Sequence, residues 1–341
     1  MMINLRNDYC GICHKKVLEK LNKYANDDFL GYGLDDHSLK AKELIKKELG
    51  RDDVDIHFLV GGTVTNKVLI SHILRPYEAV ICPDTGHINV HETGTIEQSG
   101  HKVIATLNKD GKITKDDILE VLRLHTDEHM VKPKMVYITN ATEIGTIYKY
   151  QELKEISDVC KENNLYLYLD GARLGSALTS EKNDIKLSDL VDLVDAFYIG
   201  GTKNGLMLGE ALVVVNDKIK EEMRYSIKHF GGMYAKGFVA GLQFEALFED
   251  GLFYEIAKEE NRLAKRLYTE LVKLGVEFES EQVTNQIFLV FDNDKIDKLK
   301  EHIHFEIWSV NKNKTTIRFV SHFLLTDELV DKTIEIIKGI I

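Results

Sequence analysis

Lys203 lies in "YIGGTKNGLMLGEALVVV", where two apolar runs, Ala196 to Ile199 and Ala211 to Val215, read as strands and a glycine-rich loop between them holds one cation. A solvated lysine needs no such framing, whereas an amine fixed at a strand end can form a Schiff base with a carbonyl. Thirty-three residues earlier, "YLYLDGARLG" ends a further apolar run with Asp170. A carboxylate there sits at the carboxyl edge of a sheet, where open α/β sheets bind ligands. Its charge must be paired, either with Arg173, three residues on, or with a ligand cation. A third stretch, "FLVGGTVTNKVLI", ends a strand at Gly61-Gly62-Thr63 and starts a helix. The free N–H groups of a helix start bind phosphate. The stretch lacks both the Walker pattern and the G-x-G-x-x-G spacing, which counts against a nucleotide.

An amine, an aspartate and a phosphate turn together suit pyridoxal 5′-phosphate. The lysine bonds the aldehyde, and the aspartate keeps the pyridine nitrogen protonated so that the ring accepts electrons. Taken singly, each is weaker: a lone lysine in a glycine turn reads as solvated, and a glycine turn before a helix is common.

The elements that must position these groups alternate through the first two-thirds of the chain. Asp55 to Val60 reads as a strand and Val64 to Leu74 as a helix; Ala79 to Cys82 follows as a strand and Ile113 to Leu124 as a helix opened by Thr114. Lys134 to Thr139, Leu165 to Leu169, Ala196 to Ile199 and Ala211 to Val215 read as strands, with a helix from Gln151 to Asn163. This pattern predicts an α/β domain with a mostly parallel sheet flanked by helices. After it come a helical region from Tyr234 to Leu274 broken near Asp250-Gly251, then strands at Gln286 to Phe291, Phe305 to Val310 and Thr315 to Ser321, and helices at Lys295 to His302 and Asp327 to Ile337. The expected division is a large domain over residues 25–245 and a small α+β domain over 1–24 and 246–341.

The formal net charge of −11 argues against nucleic acid as a partner. No stretch has the apolar length of a membrane span, and the first residues lack an apolar signal core, so a cytoplasmic home is expected. Cys10 and Cys13 form a C-x-x-C. It reads either as a redox pair or half a zinc site, or as two thiols entering a helix at His14 to Tyr24; no second ligand pair is spaced to complete a zinc site. "LDDH" at 34–37 reads as a turn with a helix cap at His37-Ser38, and no metal is expected.

"DGARLG", "GGTKNG" and "VGGTVTN", with "INLRND", "YGLDDHS", "HINVHETG", "NATEIGTIY" and "TIRFVSH" in the same order, resemble the threonine aldolase and β-eliminating lyase group of fold-type-I pyridoxal-phosphate enzymes. The resemblance spans nearly the whole chain. It implies Lys203 as the Schiff-base lysine beside Thr202, Asp170 on the pyridine nitrogen, His87 stacked on the ring, and Gly62 and Thr63 on the phosphate. Arg173 and Arg318 would clamp the carboxylate of an amino-acid substrate, a task suited to the guanidinium fork. Tyr32 would line the substrate pocket, Lys228 or Lys236 would reach the phosphate of a neighbouring subunit, and a homodimer or homotetramer would share its active sites.

Each role has a plainer rival. Arg318 would otherwise need a structural carboxylate, Tyr32 could be core, and Lys228 and Lys236 could be surface residues. The sequence also departs from the group's usual pattern: Glu143 stands where many members carry a histidine, and Asn7 where serine is usual. The implied reaction is Cα–Cβ cleavage of threonine or allo-threonine, with Glu143 or His87 taking the hydroxyl proton. β-Elimination, racemisation and transamination remain alternatives on the same cofactor, and a non-catalytic cofactor-binding protein is a further one.

Overall fold

The computed structural model describes residues 2–341. Its strands are β1 (Ile3–Asn4), β2 (Asp55–Leu59), β3 (Glu78–Pro83), β4 (Lys102–Thr106), β5 (Lys132–Thr139), β6 (Tyr166–Asp170), β7 (Ala196–Gly200), β8 (Glu210–Val214), β9 (Glu277–Phe278), β10 (Gln286–Asp292), β11 (Ile303–His304), β12 (Glu306–Val310) and β13 (Lys314–Val320). Seven of them form one sheet in the order β2-β8-β7-β6-β5-β3-β4. β4, β3, β5, β6 and β7 run parallel, as the alternation predicts. β8 runs antiparallel to β7, and β2 antiparallel to β8. The reversal follows from the short link at 201–209, since a parallel crossover needs a dozen or more residues.

The strands β3, β7 and β8 are buried along their full length. That is why they read as continuous apolar runs and not as alternating ones. One face of the sheet packs under Ile45, Leu153, Phe244 and Phe253; the other packs under Val68, Leu69 and Ile227. The helix Lys115–Leu124 starts at a Thr114–Asp117 capping box. The helix Asp36–Leu49 is capped by Asp35, which accepts from Ser38 N at 2.8 Å, two residues ahead of the position expected from "LDDH". His37 instead pairs with Glu245.

A second sheet, β12-β13-β10-β9, is antiparallel and has its own core around Leu289, Leu299 and Phe319. The helix Leu252–Lys273 joins the two units: Phe253 and Ile256 lie in the large core, Leu267 and Leu271 in the small one. The first residues divide likewise. β1 pairs with β11 in the small unit, whereas Val17, on the helix Lys15–Lys23, is buried in the large core. Cys10 and Cys13 precede that helix as free thiols, with burial raising the pKa of both. Among the described residues no helix is long and apolar enough to cross a membrane.

Candidate active site

The topology sets four side chains at the carboxyl ends of neighbouring strands. His87 follows β3, Glu143 follows β5, Asp170 ends β6 and Lys203 follows β7. The Gly61-Gly62 turn reaches the same edge because Leu59, Glu210 and Gly200 lie side by side across β2, β8 and β7. The glycine after Asp170 is obligatory, since a Cβ at Gly171 would lie 1.9 Å from the Tyr198 carbonyl oxygen.

Asp170 is buried and does not pair with Arg173. Its Oδ2 accepts from Tyr137 Oη at 2.6 Å and Asn66 Nδ2 at 3.2 Å, and its Oδ1 accepts from Ala172 N at 3.0 Å. The same Asn66 amide donates to Glu92 Oε1 at 2.7 Å, and its carbonyl accepts from Tyr168 Oη. Glu92 in turn holds His87 Nδ1 at 2.8 Å. Burial alone would lower the pKa of His87; the Glu92 bond, with the charges of Glu143 and Asp170, raises it instead. A connected network therefore fixes both the ring of His87 and the carboxylate of Asp170. Glu92, Asn66, Tyr137 and Tyr168 were not singled out from the sequence. Asn66 lies in the quoted "VGGTVTN" and Glu92 in "HINVHETG", but nothing local marks which members of a motif bond to one another.

Arg173 is paired with a residue the sequence reading missed. Its Nε and Nη2 donate to Asp8 Oδ2 and Oδ1 at 2.7 and 3.1 Å, and Asn285 Nδ2 adds a third bond to Oδ2. The pair is buried. Desolvation opposes the charge on Asp8, yet Arg173 and Lys203 hold its pKa below the usual carboxylate value. The fork uses two of the guanidinium nitrogens, and Nη1 stays clear of Asp8. Asn7, beside Asp8, accepts from Tyr9 N through its side chain.

Among the described residues Lys203 makes no ion pair; its Nζ lies 6.0 Å from the centroid of the Tyr9 ring. Burial, then Arg173, lowers its pKa against the opposing pull of Asp8, Glu143 and Asp170. A lowered value enlarges the neutral, nucleophilic fraction of the amine. Thr202 braces the turn by accepting from Gly209 N at 3.0 Å. Arg318 lies 5.1 Å over the Trp308 ring and donates to Gln286 Oε1 at 3.2 Å. Among the described residues it has no carboxylate partner, and its buried Nε has no acceptor. Burial and Arg173 lower its pKa. Glu143 is buried, and its charge acts on Lys203, Arg173, Arg318 and His87. His91 is a further member of the cleft, 5.5 Å from His87 between ring centroids and kept neutral chiefly by burial.

Tyr32, Lys228 and Lys236 stand in a different group. Tyr32 is 45% exposed, Lys228 Nζ lies 4.9 Å over its ring, and its backbone bonds Ala235 and Arg224. None of these contacts reaches Lys203 within the chain.

The site fits a phosphorylated pyridine aldehyde. The helix Gly62–Ile73 opens without a side-chain cap, leaving its first N–H groups free for an anion. A Cβ at Gly62 would come within 2.9 Å of Tyr198 Oη, so the cradle is shaped around its absence. Thr63 is exposed beside it. Asp170 keeps acceptor capacity on Oδ1, and Lys203 is an unpaired amine.

Residues 5–294 match the family model of the β-eliminating lyases. The chain belongs to the β-eliminating lyase family. A low specificity L-threonine aldolase of a Pseudomonas species is 32% identical over 86% of this chain and 85% of its own. A Leishmania major threonine aldolase structure superposes with a TM-score of 0.97 at 41% identity, covering 99% of both chains. An alanine racemase of Cochliobolus carbonum is 29% identical over 71% of this chain and 64% of its own. Like other β-eliminating lyase family members, the chain has the fold-type-I architecture, which it also shares with a Thermus thermophilus aspartate aminotransferase at a TM-score of 0.75 and 15% identity over 100% of this chain and 92% of its own.

Proposed function

We propose that the protein is a pyridoxal-phosphate aldehyde-lyase that splits threonine or allo-threonine into glycine and acetaldehyde. The observation that carries this reading is Arg318, a half-buried cation whose buried Nε has no acceptor and which has no carboxylate partner among the described residues. Buried charges are paired, and an α-amino acid brings the missing carboxylate. Arg173 Nη1 is available to the same group, while Asp8 fixes the orientation of that fork.

The cofactor, when bound, supplies an electrophilic aldehyde and an electron sink for the bond broken at Cα. The chain does the rest. Gly62 and Thr63 offer N–H and hydroxyl donors to a phosphate, and Thr202 holds the lysine turn. Asp170 Oδ1 accepts a ring N–H, and Glu92 keeps the His87 ring fixed for a face contact. Lys203 presents an amine whose pKa burial lowers, which enlarges its nucleophilic fraction. Glu143, which has no hydrogen-bond partner of its own, takes the proton from the substrate hydroxyl, with His91 and His87 beside it. The Tyr32, Lys228 and Lys236 group serves the cleft of a second copy; its exposure and lack of any partner in its own cleft support that assignment.

The likeness to an alanine racemase supports a second reading, racemisation of a small amino acid at the same site. The test is one set of assays on the cofactor-loaded protein. Acetaldehyde and glycine from threonine are expected, and Lys203→Ala should abolish them while leaving the fold intact. D-alanine from L-alanine, or pyruvate and ammonia from serine or cysteine, without acetaldehyde, would replace the proposal.

A further inference from the structure

Glu210, the first residue of β8, is a buried carboxylate that the steps above do not use. Its register puts it beside Gly200 of β7 and Leu59 of β2, directly under the turn that carries Lys203. Its Oε2 accepts from Gly201 N at 2.8 Å. Gly201 stands two residues before Lys203, and the Thr202 hydroxyl between them accepts from Gly209 N. The other ends of the turn are held by backbone bonds, Thr202 N to the Gly209 carbonyl and Leu206 N to the Gly201 carbonyl. Among the described residues Glu210 is thus the one acidic side chain that bonds the turn.

We propose that Glu210 is the positioning residue of Lys203, clamping its turn from below and, by gaining or losing one proton, setting how firmly the turn is held. The proposal rests on Lys203 being the reacting amine. Burial raises the pKa of Glu210 to about 7, against the Gly201 N–H, the Thr202 hydroxyl and the charge of Lys203, with Asp170 adding to the rise. The remaining titratable groups that feel it are Tyr168 on β6, Tyr198 on β7 and Tyr234 on the segment before the helix Phe238–Glu249; burial raises all three phenols, so they stay neutral. The ionised carboxylate accepts the stronger, charge-assisted bonds. The turn therefore tightens as the pH rises through about 7 and loosens below it.

The test compares the wild-type protein with Glu210→Gln and Glu210→Ala. The amide keeps an acceptor for Gly201 N but cannot ionise; alanine removes the clamp. The first measurement is hydrogen exchange of the peptide spanning 201–209 between pH 5.5 and 8.5, corrected for intrinsic rates. Protection should rise with pH in the wild type, stay flat in the glutamine variant and be lost at all pH values in the alanine variant. The second is turnover: the wild type should show a limb in kcat near pH 7 that the glutamine variant lacks, with KM little changed. An exchange limb that survives Glu210→Gln would overturn the proposal. So would an exchange limb that disappears while the kcat limb persists, because the turn would then titrate without consequence for the lysine. Turnover that survives in Lys203→Ala sinks the assignment of the lysine instead, and leaves the exchange result standing by itself.

Discussion

Replacing Asp8 by alanine should be among the most damaging single changes that leave every other group of the cleft in place. The side chains of Asp8 and Arg173 are 0% and 4% exposed, so neither can fall back on water. The substitution strips acceptors from Arg173 Nε, Arg173 Nη2 and Asn285 Nδ2 and leaves a buried guanidinium without its anion. Breaking a buried pair from one side costs about 3–5 kcal/mol. At an unfolding entropy of ~2.1 cal/mol/K per residue over 341 residues, about 4 kcal/mol lowers Tm by about 6 °C. The companion variant Arg173→Met in the Asp8→Ala background removes both charges, and replacing a whole buried pair by apolar groups is often nearly neutral. Thermal and denaturant unfolding of the wild type, the two single variants Asp8→Ala and Arg173→Met, and the double variant closes the cycle. The double variant should be more stable than Asp8→Ala alone. Because the folded-state pKa of Asp8 is depressed, the wild-type contribution is present above about pH 4 and is lost as pH falls through the folded value. The alanine variant should lack that acid-side loss. A destabilisation under about 1 kcal/mol, or effects that simply add around the cycle, would refute the assignment of Arg173 to Asp8.

Three further outcomes follow from the geometry of the cleft. Arg318→Met should raise KM for threonine by roughly ten- to hundred-fold, the worth of one charged hydrogen bond, with a smaller change in kcat; in the unsubstituted protein, substrate should perturb the emission of Trp308, the single tryptophan, whose ring lies 5.1 Å from Arg318, and a silent tryptophan with unchanged KM would count against the carboxylate site. Gly62→Ala should weaken cofactor retention on dialysis while the apoprotein unfolds as before, since the added methyl meets buried Tyr198 Oη at 2.9 Å; undiminished retention would mean the cradle lies elsewhere. Glu92→Gln should move the NMR titration of His87 to lower pH, because the hydrogen-bonded carboxylate, aided by Glu143 and Asp170, is what overcomes desolvation there. The stabilisation that the His87–Glu92 pair gives the fold is present below the ordinary histidine pKa and fades as pH rises through the raised one; an unmoved titration would reject the pairing.

Most of the α/β framework is written locally in the chain. β5, β6 and β7 are apolar runs ending at residues that water or a ligand must meet, so their edges read within a residue or two. The antiparallel turn at β8 was harder to read, because the run Glu210–Val214 looks the same whichever way it points and only the shortness of 201–209 decides it. β4 escaped notice because Lys102–Thr106 is an edge strand with an exposed and half-buried pattern. The helix Asp36–Leu49 was read only as a turn and cap, since its buried stripe of Ala41, Ile45 and Leu49 is diluted by lysines and glutamates. The candidate ligand-facing residues could be named from motifs, but the residues that support them in the fold could not. Arg173 and Asp8 are 165 positions apart, and Asn66 and Asp170 are 104 apart. No local periodicity carries a contact of that range.

The charge pattern of the cleft explains why those supports matter. Arg173 stands near both Arg318 and Lys203, and its charge lowers the pKa of each. Asp8 answers Arg173 by a direct fork, whereas Asp170 and Glu143 act on Lys203 only through space. Arg318, like Lys203, is left without a carboxylate in contact among the described residues. An arrangement built for stability alone would have paired it, since its buried Nε is left without an acceptor. Leaving it unpaired transfers that deficit to whatever enters, and an α-carboxylate relieves it. Burial, then the Arg173 charge, lowers the pKa of Lys203. A carboxylate that also reaches Arg173 Nη1 offsets the positive neighbour that acts on the lysine, so substrate binding and the protonation of Lys203 must be thermodynamically linked. A substrate analogue that carries the carboxylate but no amine should therefore raise the pH at which Lys203 deprotonates. A titration of Lys203 indifferent to such an analogue would show that the two cations do not share one cleft.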